Sequence, residues 1–241
     1  MINNFFENPI IFDYKKPNQE EINWLKLNSN PIFIEQNFRI KSLHSYKEIK
    51  LKGVLNTMYA RAAVVLKLNQ ILEMLPNEFN FCVFDAFRTI ETQYDLFRFI
   101  YDQQKNLNPN LSHAELFSIT KEYIVHPDEK SLYEIPMHNS GGAIDLNLAF
   151  NAQELDMGTE FDEVSESSQT DWFEQEFKLE FGFTQEKWFE IRKNRRLLFN
   201  AMKYVGFVNY NAEWWHYDLG DCHWANTLNV TWFYQSMEKE L

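Results

Sequence analysis

The run from residue 59 to residue 84 constrains the fold most, because a helix pattern is followed at once by a buried-strand pattern. Apolar side chains recur at the 3.6-residue period over 59–75, which predicts a helix with one buried face. Pro76 and Asn77 end this helix, and Phe79-Asn-Phe-Cys-Val-Phe84 then predicts a buried strand. The apolar face consists of Val64, Val65, Leu68, Ile71, Leu72 and Leu75.

The rest of the chain mixes helices and strands without regular alternation of the two. That mixture favours an α+β fold, a single domain over 1–241 with a small central, mainly antiparallel sheet flanked by helices. Residues 1–50 are Asn-rich and are predicted to be irregular, apart from one strand at Ile32-Phe33-Ile34. The longest helix is predicted to begin at Thr184 and to end at Gly206. The further elements are helices over about 90–105 and from Ser112, where Glu115 completes a capping box, and strands over 143–148 and about 207–217.

Composition and charge exclude several classes of function. Hydrophobic residues make up 45% of the 241 residues and include 22 Phe and 7 Trp, as expected of a packed globular protein. The net charge of −12 argues against nucleic acid as a partner, because phosphate binding needs a surface rich in Lys and Arg. No apolar run reaches the roughly 18 residues that a membrane span requires. The first residues lack the features of a signal peptide, so we expect a cytoplasmic protein; its oligomeric state stays open.

One segment with candidate metal ligands is His138-Asn-Ser-Gly-Gly-Ala-Ile-Asp145. The His precedes a Gly-Gly turn and the Asp lies in the strand that follows, so the turn can bring both side chains to one point. Imidazole and carboxylate are both good Zn²⁺ ligands. The alternative is a capped turn with a surface His138 and an unrelated Asp145. However, an Asp between Ile144 and Leu146 in a buried strand costs free energy unless it is paired.

A second segment with candidate site residues is Glu213-Trp-Trp-His216-Tyr217. A Glu and a His three residues apart can reach one site if the backbone turns or bulges between them. His216 would supply a third ligand and Glu213 would take a proton from the attacking water, while the two tryptophans exclude solvent. A strand end with an aromatic cluster is the alternative interpretation of this segment.

Together the two segments predict a catalytic zinc site with one ion per chain. Two His and one Asp leave the fourth tetrahedral position open, whereas structural zinc sites close with four ligands that usually include Cys. The two cysteines, Cys82 and Cys222, form no metal-type pair and are too few for a disulfide framework. The other histidines lack such settings. Among them His223 is the closest competitor, because it follows His216 by seven residues.

Five motifs occur in an order and spacing that point to one known family. They are Asp85-Ala-Phe-Arg88, then His138…Gly142-Ala-Ile-Asp145, then Asp156-Met-Gly-Thr-Glu-Phe-Asp162, then Asn194-Arg-Arg-Leu-Leu with Lys203-Tyr-Val-Gly-Phe207, and finally Glu213-Trp-Trp-His-Tyr217. Together they resemble the D-alanyl-D-alanine dipeptidases, zinc peptidases that include the vancomycin-resistance dipeptidases. The resemblance covers roughly residues 55–220. It implies zinc-dependent hydrolysis of a D-alanyl-D-alanine-type dipeptide, with zinc on His138, Asp145 and His216.

The resemblance also implies three roles outside the ligand set. Glu213 would be the catalytic base, Arg88 would stabilise the transition state, and Asp162 would contact the free amino terminus of the substrate. For Arg88 the alternative is an ordinary ion pair with Asp85, and for Asp162 it is a solvated carboxylate in an acidic loop. Thr89 replaces the Pro that follows this arginine in the family, which we expect to loosen the turn.

Three functions stay open from the sequence. The leading one is a dipeptidase acting on a D,D- or related dipeptide. A zinc carboxypeptidase acting on longer cell-wall peptides and a non-catalytic zinc-binding module on the same fold are the alternatives. The presence of both Glu213 and Arg88 argues against the non-catalytic module, because such a site needs neither residue.

Overall fold

The computed structural model describes residues 2–128, 135–163 and 165–241. Within these ranges helices and strands are mixed along the chain, which confirms the predicted α+β class. The helices are α1 (Ile2–Glu7), α2 (Gln19–Leu27), α3 (Ser45–Glu48), α4 (Ala62–Met74), α5 (Ile90–Leu107), α6 (His113–Tyr123), α7 (Gln185–Tyr204) and α8 (Cys222–Thr227). The strands are β1 (Pro31–Phe33), β2 (Ile40–Ser42), β3 (Tyr59–Arg61), β4 (Phe79–Asp85), β5 (Ala143–Phe150), β6 (Gln153–Glu154), β7 (Val208–Asn209) and β8 (His216–Asp218).

The central sheet has the strand order β2-β4-β5-β8-β7, and β6 also pairs with β5. Strands β4 and β5 form its long middle pair, which is antiparallel. Strand β5 also pairs antiparallel with β6 and with β8, and β7 pairs antiparallel with β8. Only the pairing of β2 with β4 is parallel within this described sheet. The predicted mainly antiparallel central sheet is therefore confirmed. Strands β1 and β3 form a separate antiparallel pair.

Helix α4 and strand β4 form where the apolar pattern predicts them. The predicted face of α4 is buried, and β4 is buried along most of its length, with Phe81 opposite Leu148 of β5. The helix begins at Ala62 rather than at residue 59, because residues 59–61 pair as β3 with β1 instead. The tertiary pairing thus overrides the helical periodicity at this one end.

Helices α6 and α7 have the capping residues that the sequence predicts. Ser112 and Glu115 form the expected capping box at the start of α6. The Thr184 hydroxyl accepts a hydrogen bond from the Lys187 amide (3.2 Å) at the start of α7. Gly206 follows the end of α7 with a φ of 103°, a conformation that glycine adopts at little cost.

Two predictions about regular structure are wrong in part. Residues 1–50 are not simply irregular, since they hold three short helices and two short strands, and Asn18 forms a capping box with Glu21. The predicted strand over 207–217 is divided into β7 and β8 by a turn. In that turn the Glu213 amide donates to the Tyr210 carbonyl and the His216 amide donates to the Glu213 carbonyl.

The largest hydrophobic cluster joins residues from both ends of the chain, including Phe5 and Tyr234. This continuity supports the single domain, which stays a prediction. Cys82 and Cys222 are both buried free thiols. In the described part of the chain, no helix combines the length and apolar character that crossing a membrane would require.

Arg61, at the end of β3, connects three segments that are distant in sequence. Its guanidinium donates to the carbonyl oxygens of Ser140 (2.8 Å), Ser29 (2.7 Å) and Gln235 (2.9 Å). It also forms an ion pair with Glu240 (2.7 Å), and only 3% of its side chain is exposed. A planar guanidinium with five donors satisfies such a set of acceptors, which an ammonium on a flexible stem cannot reproduce.

Replacing Arg61 with Leu is expected to lower the free energy of unfolding by about 3–5 kcal/mol, because buried acceptors lose their donors. Urea unfolding followed by circular dichroism measures the change. Arg98→Leu is the control, since the Arg98 side chain is 62% exposed and pairs with Asp95 at the surface. That control is expected to cost less than about 1 kcal/mol. Equal losses in the two variants would contradict the role assigned to Arg61.

Candidate metal centre

The pairing of two neighbouring strands and one glycine turn bring together the three predicted ligands. Asp145 of β5 lies directly opposite His216 of β8 in the antiparallel register. His138 lies in the short 3-10 turn Met137–Ser140, which ends at Gly141. Gly141 has a φ of 73°, the left-handed conformation that the sequence analysis assigned to this turn. The turn therefore directs His138 back towards β5, as predicted.

The ligand atoms of His138, Asp145 and His216 form a tight triangle. His138 Nε2 lies 3.2 Å from His216 Nδ1 and 3.3 Å from Asp145 Oδ2, and His216 Nδ1 lies 3.0 Å from Asp145 Oδ1. All three residues are buried. A tetrahedral metal with bonds of about 2.0–2.1 Å places its ligand atoms about 3.3 Å apart. The observed spacings therefore match three corners of such a tetrahedron.

The other nitrogen of each imidazole is used by a hydrogen bond that fixes the ring. His138 Nδ1 donates to the Ala86 carbonyl oxygen (2.7 Å), which can only accept. His216 Nε2 donates to the Asp218 carboxylate (2.8 Å). A neutral imidazole carries one N–H, so the facing nitrogens His138 Nε2 and His216 Nδ1 present lone pairs to each other and to Asp145. A cation bound between these atoms would accept their lone pairs and remove the repulsion among them.

The turn between β7 and β8 places Glu213 beside the ligand triangle. Glu213 Oε2 lies 3.8 Å from His216 Nδ1, so the three-residue spacing brings both side chains to one site, as the motif predicts. Burial raises the pKa of Glu213 to about 8, and the nearby Asp145 charge acts in the same direction. Some 29% of its side-chain surface remains exposed, which leaves access for a water molecule. Glu213 is thus a basic carboxylate at the edge of the site.

Arg88 lies beside Asp145 and is held by several partners. Its Nε donates to Asp85 Oδ2 (2.9 Å), its Nη1 donates to Gln93 Oε1 (2.8 Å), and its Nη2 donates to the Tyr46 hydroxyl (3.3 Å). Nη2 also lies 3.8 Å from Asp145 Oδ2. The ion pair with Asp85 that the sequence suggested is present, and it fixes the guanidinium next to the candidate ligands.

Aromatic packing carries the loop with Asp162 to the same site. Phe161 stacks on Phe84 with ring centroids 4.5 Å apart and meets Trp215 edge-on at 5.5 Å. Trp214 Nε1 donates to the Thr159 hydroxyl (2.8 Å), so both tryptophans of the second motif hold this loop.

Asp162 is exposed at the surface of this loop, next to Phe161. Burial raises the pKa of its carboxyl group to about 6, with the Asp145 charge acting in the same direction. Its φ of 62° is uncommon for a residue other than glycine, although Asp tolerates it better than most.

The structure also assigns partners that sequence reasoning did not find. Tyr46, from the region predicted to be irregular, contacts Arg88 and Phe161, and no motif marked it. Asp218 follows His216 by two residues in β8, which in a strand places both side chains on the same face. That spacing was a usable signal. His223 does not join the ligand triangle; it contacts Asp218 instead, with His223 Nδ1 2.7 Å from Asp218 Oδ2.

Thr89 does not loosen the turn after Arg88, so that expectation is wrong. Its hydroxyl accepts a hydrogen bond from the Thr92 amide (3.0 Å), which makes it the N-cap of α5. The same hydroxyl lies 3.1 Å from the Gly53 carbonyl, to which it can donate. A capping Thr typically contributes about 1 kcal/mol to helix stability, so the turn is held by hydrogen bonds where the family has a proline.

Sequence comparison extends the likeness from the motifs to most of the chain. The profile of the family described as D-ala-D-ala dipeptidase matches residues 53–233. The chain belongs to this family. It is therefore a metallopeptidase of the D-Ala-D-Ala dipeptidase type, and the six predicted site residues all lie within the matched range. Tyr46 lies outside it.

Two characterised relatives carry the same description. A D-alanyl-D-alanine dipeptidase of Synechocystis is 28% identical over 208 residues, which cover 79% of this chain and 82% of that protein. A D-alanyl-D-alanine dipeptidase of Enterococcus faecalis is 31% identical over 121 residues, which cover 49% of each chain. The first of these likenesses covers most of both chains.

Proposed function

We propose that this chain is a zinc-dependent dipeptidase that hydrolyses a D-alanyl-D-alanine-type dipeptide. The observation that carries the proposal is the buried triangle of His138, Asp145 and His216, with facing atoms 3.0–3.3 Å apart. Neutral imidazole nitrogens and a carboxylate are ligands that zinc accepts, and three protein ligands leave one tetrahedral position open. The residues present therefore fit one zinc ion per chain.

The ion and the chain divide the chemistry between them. When bound, Zn²⁺ supplies Lewis acidity, which lowers the pKa of a water to about 7 and polarises a carbonyl group. The chain contributes the ligands, the proton acceptor, a cation for the developing negative charge and recognition of the substrate.

Glu213 is the general base in this proposal. Its carboxylate lies at the edge of the ligand triangle, with part of its surface open to solvent. Burial raises the pKa of Glu213 to about 8, and a pKa near the pH of the reaction suits a group that takes a proton and later returns it. Glu213 would accept the proton of the attacking water and deliver one to the leaving amine.

Arg88 stabilises the negative charge that develops on the substrate carbonyl oxygen. Its guanidinium is buried and is fixed by Asp85, Gln93 and Tyr46 beside Asp145. A cation that is already in place needs no reorganisation during the reaction, and such donors are worth roughly 3–4 kcal/mol of barrier. The Tyr46 ring also faces the guanidinium at 4.8 Å, which further restricts its position.

Asp162 recognises the free amino terminus of the substrate. Burial and the Asp145 charge raise the pKa of its carboxyl group to about 6, and an ammonium group within hydrogen-bond distance would favour the ionised form. The relatives in Synechocystis and Enterococcus faecalis are both described as dipeptidases, which agrees with a site that recognises the amino group of a two-residue substrate.

The test of the metal site is elemental analysis of purified variants. The protein is expected to contain one zinc per chain, and His138→Ala and His216→Ala are each expected to lose it because the buried triangle loses a corner. His113→Ala is the control, since His113 is exposed and is no part of the triangle. Metal content that is undiminished after both ligand substitutions would refute the site.

The same preparations test the reaction. A panel of D,D-, L,D- and L,L-dipeptides is assayed with the zinc-loaded protein and with the protein after chelation. We expect cleavage of the D,D-dipeptides and loss of cleavage when zinc is removed. Zinc binding without cleavage of any member would leave the non-catalytic module as the function.

A further inference from the structure

On the side of His216 away from the ligand triangle lies a buried cluster that contains Asp218 and His223. Asp218 is completely buried, and both of its oxygens are used. Oδ1 accepts from His216 Nε2 (2.8 Å), and Oδ2 lies 2.7 Å from His223 Nδ1. Neither Asp218 nor His223 has a role in the mechanism described above. A buried carboxylate is costly unless it is satisfied by such partners, so its presence calls for an explanation.

Asp221 completes this cluster and positions His223. Its Oδ1 accepts from the Trp224 amide (2.9 Å), which caps the first turn of α8 and places His223 within that turn. Burial and the nearby Asp218 charge raise the pKa of Asp221 well above its usual value.

The Asp218 carboxylate thus has one imidazole at each of its two oxygens. Hydrogen bonds from His216 and His223 converge on it. The charge lies on the far side of the His216 ring from Asp145, so it acts on the ring nitrogen that faces the triangle.

We propose that Asp218 is a positioning residue for the metal centre, which orients His216 and raises its affinity for the metal ion. The hydrogen bond to Nε2 fixes the tautomer of His216, so that Nδ1 carries the lone pair that faces His138 and Asp145. The negative charge also makes that nitrogen a stronger donor to a cation. The proposal rests on the proposed zinc function. Partners of this kind typically change metal affinity by about 10–100-fold.

Two substitutions separate the hydrogen bond from the charge. Asp218→Asn keeps an oxygen that can accept from His216 Nε2 but removes the negative charge. Asp218→Ala removes both, together with the acceptor of the His223 hydrogen bond. Asp13→Asn is the matched control, because it removes a carboxylate whose side chain is 73% exposed and far from any ligand in sequence.

The measurement is zinc affinity by competition with a chromophoric chelator, performed on the full chain. We expect zinc binding to weaken by about 10-fold in Asp218→Asn, by up to about 100-fold in Asp218→Ala, and by less than about twofold in Asp13→Asn. Thermal unfolding of the metal-free proteins shows whether each variant is folded. If Asp218→Ala does not fold, Asp218→Asn decides the question.

A purely structural role predicts a different result. In that case the metal-free variants would lose thermal stability, while the folded fraction would bind zinc as tightly as the unsubstituted protein. Zinc affinity within about twofold of that protein in a folded Asp218→Asn or Asp218→Ala variant overturns the proposal. His138→Ala separates this outcome from failure of the zinc function, because it is expected to abolish binding whatever Asp218 does.

Discussion

Replacing Glu213 with Gln is expected to lower kcat by about 10²–10⁴ while the zinc content stays at one ion per chain. The amide preserves the shape of the side chain but cannot accept the proton of the attacking water. Glu213 lies beside the triangle at 3.8 Å from His216 Nδ1 and is not one of its corners, so metal binding should persist. Steady-state kinetics at matched zinc content measure the change.

Whether the loss of activity appears in kcat or in KM is as informative as its size. An interaction made only in the transition state lowers kcat and leaves KM nearly unchanged. Glu180→Gln is the control, because the Glu180 side chain is 73% exposed, and it should match the unsubstituted protein. If Glu213→Gln kept a near-normal kcat at full zinc content, the base would have to be another residue.

Local patterns predicted the elements that carry the site. The strand Phe79–Asp85, the turn at Gly141 and the strand with Asp145 each follow from residues adjacent in sequence. Periodicity, a capping pair or a glycine at positive φ is a local requirement, so one sequence can reveal it. The three candidate ligands could be proposed for the same reason, since His138 and Asp145 flank one turn and His216 lies in one short motif.

Pairing between distant segments could not be predicted in the same way. Residues 59–61 follow the helical period of α4, but pairing with Pro31–Phe33 makes them a strand. Tyr46 reaches Arg88 and Phe161 only because the chain folds back, and a tyrosine in an Asn-rich region gives no sign of it. Short strands such as β7 and β8 bury few residues each, so their sequence pattern is too brief to show the turn between them.

Removing the charge of the substrate amino terminus is expected to lower kcat/KM by about 10² or more, because the substrate then lacks the cation that Asp162 is proposed to bind. N-acetylation of a good dipeptide makes that change without altering the protein. Asp162→Asn makes the complementary change, and Asn tolerates the φ of 62° observed here better than Ala would. Glu163→Gln, at the adjacent exposed position, is the matched control.

The four combinations of enzyme and substrate decide between a dipeptidase and a carboxypeptidase. If Asp162 pairs with the ammonium group, the Asn variant loses activity on the free dipeptide but changes little on the acetylated one, because that pair is already broken. The two losses are then far from additive, which is the expected signature of direct contact. Additive losses would mean that Asp162 acts elsewhere. Equal cleavage of free dipeptides, acetylated dipeptides and tripeptides would show that the site does not measure its substrate from the amino end, and the carboxypeptidase would replace the dipeptidase.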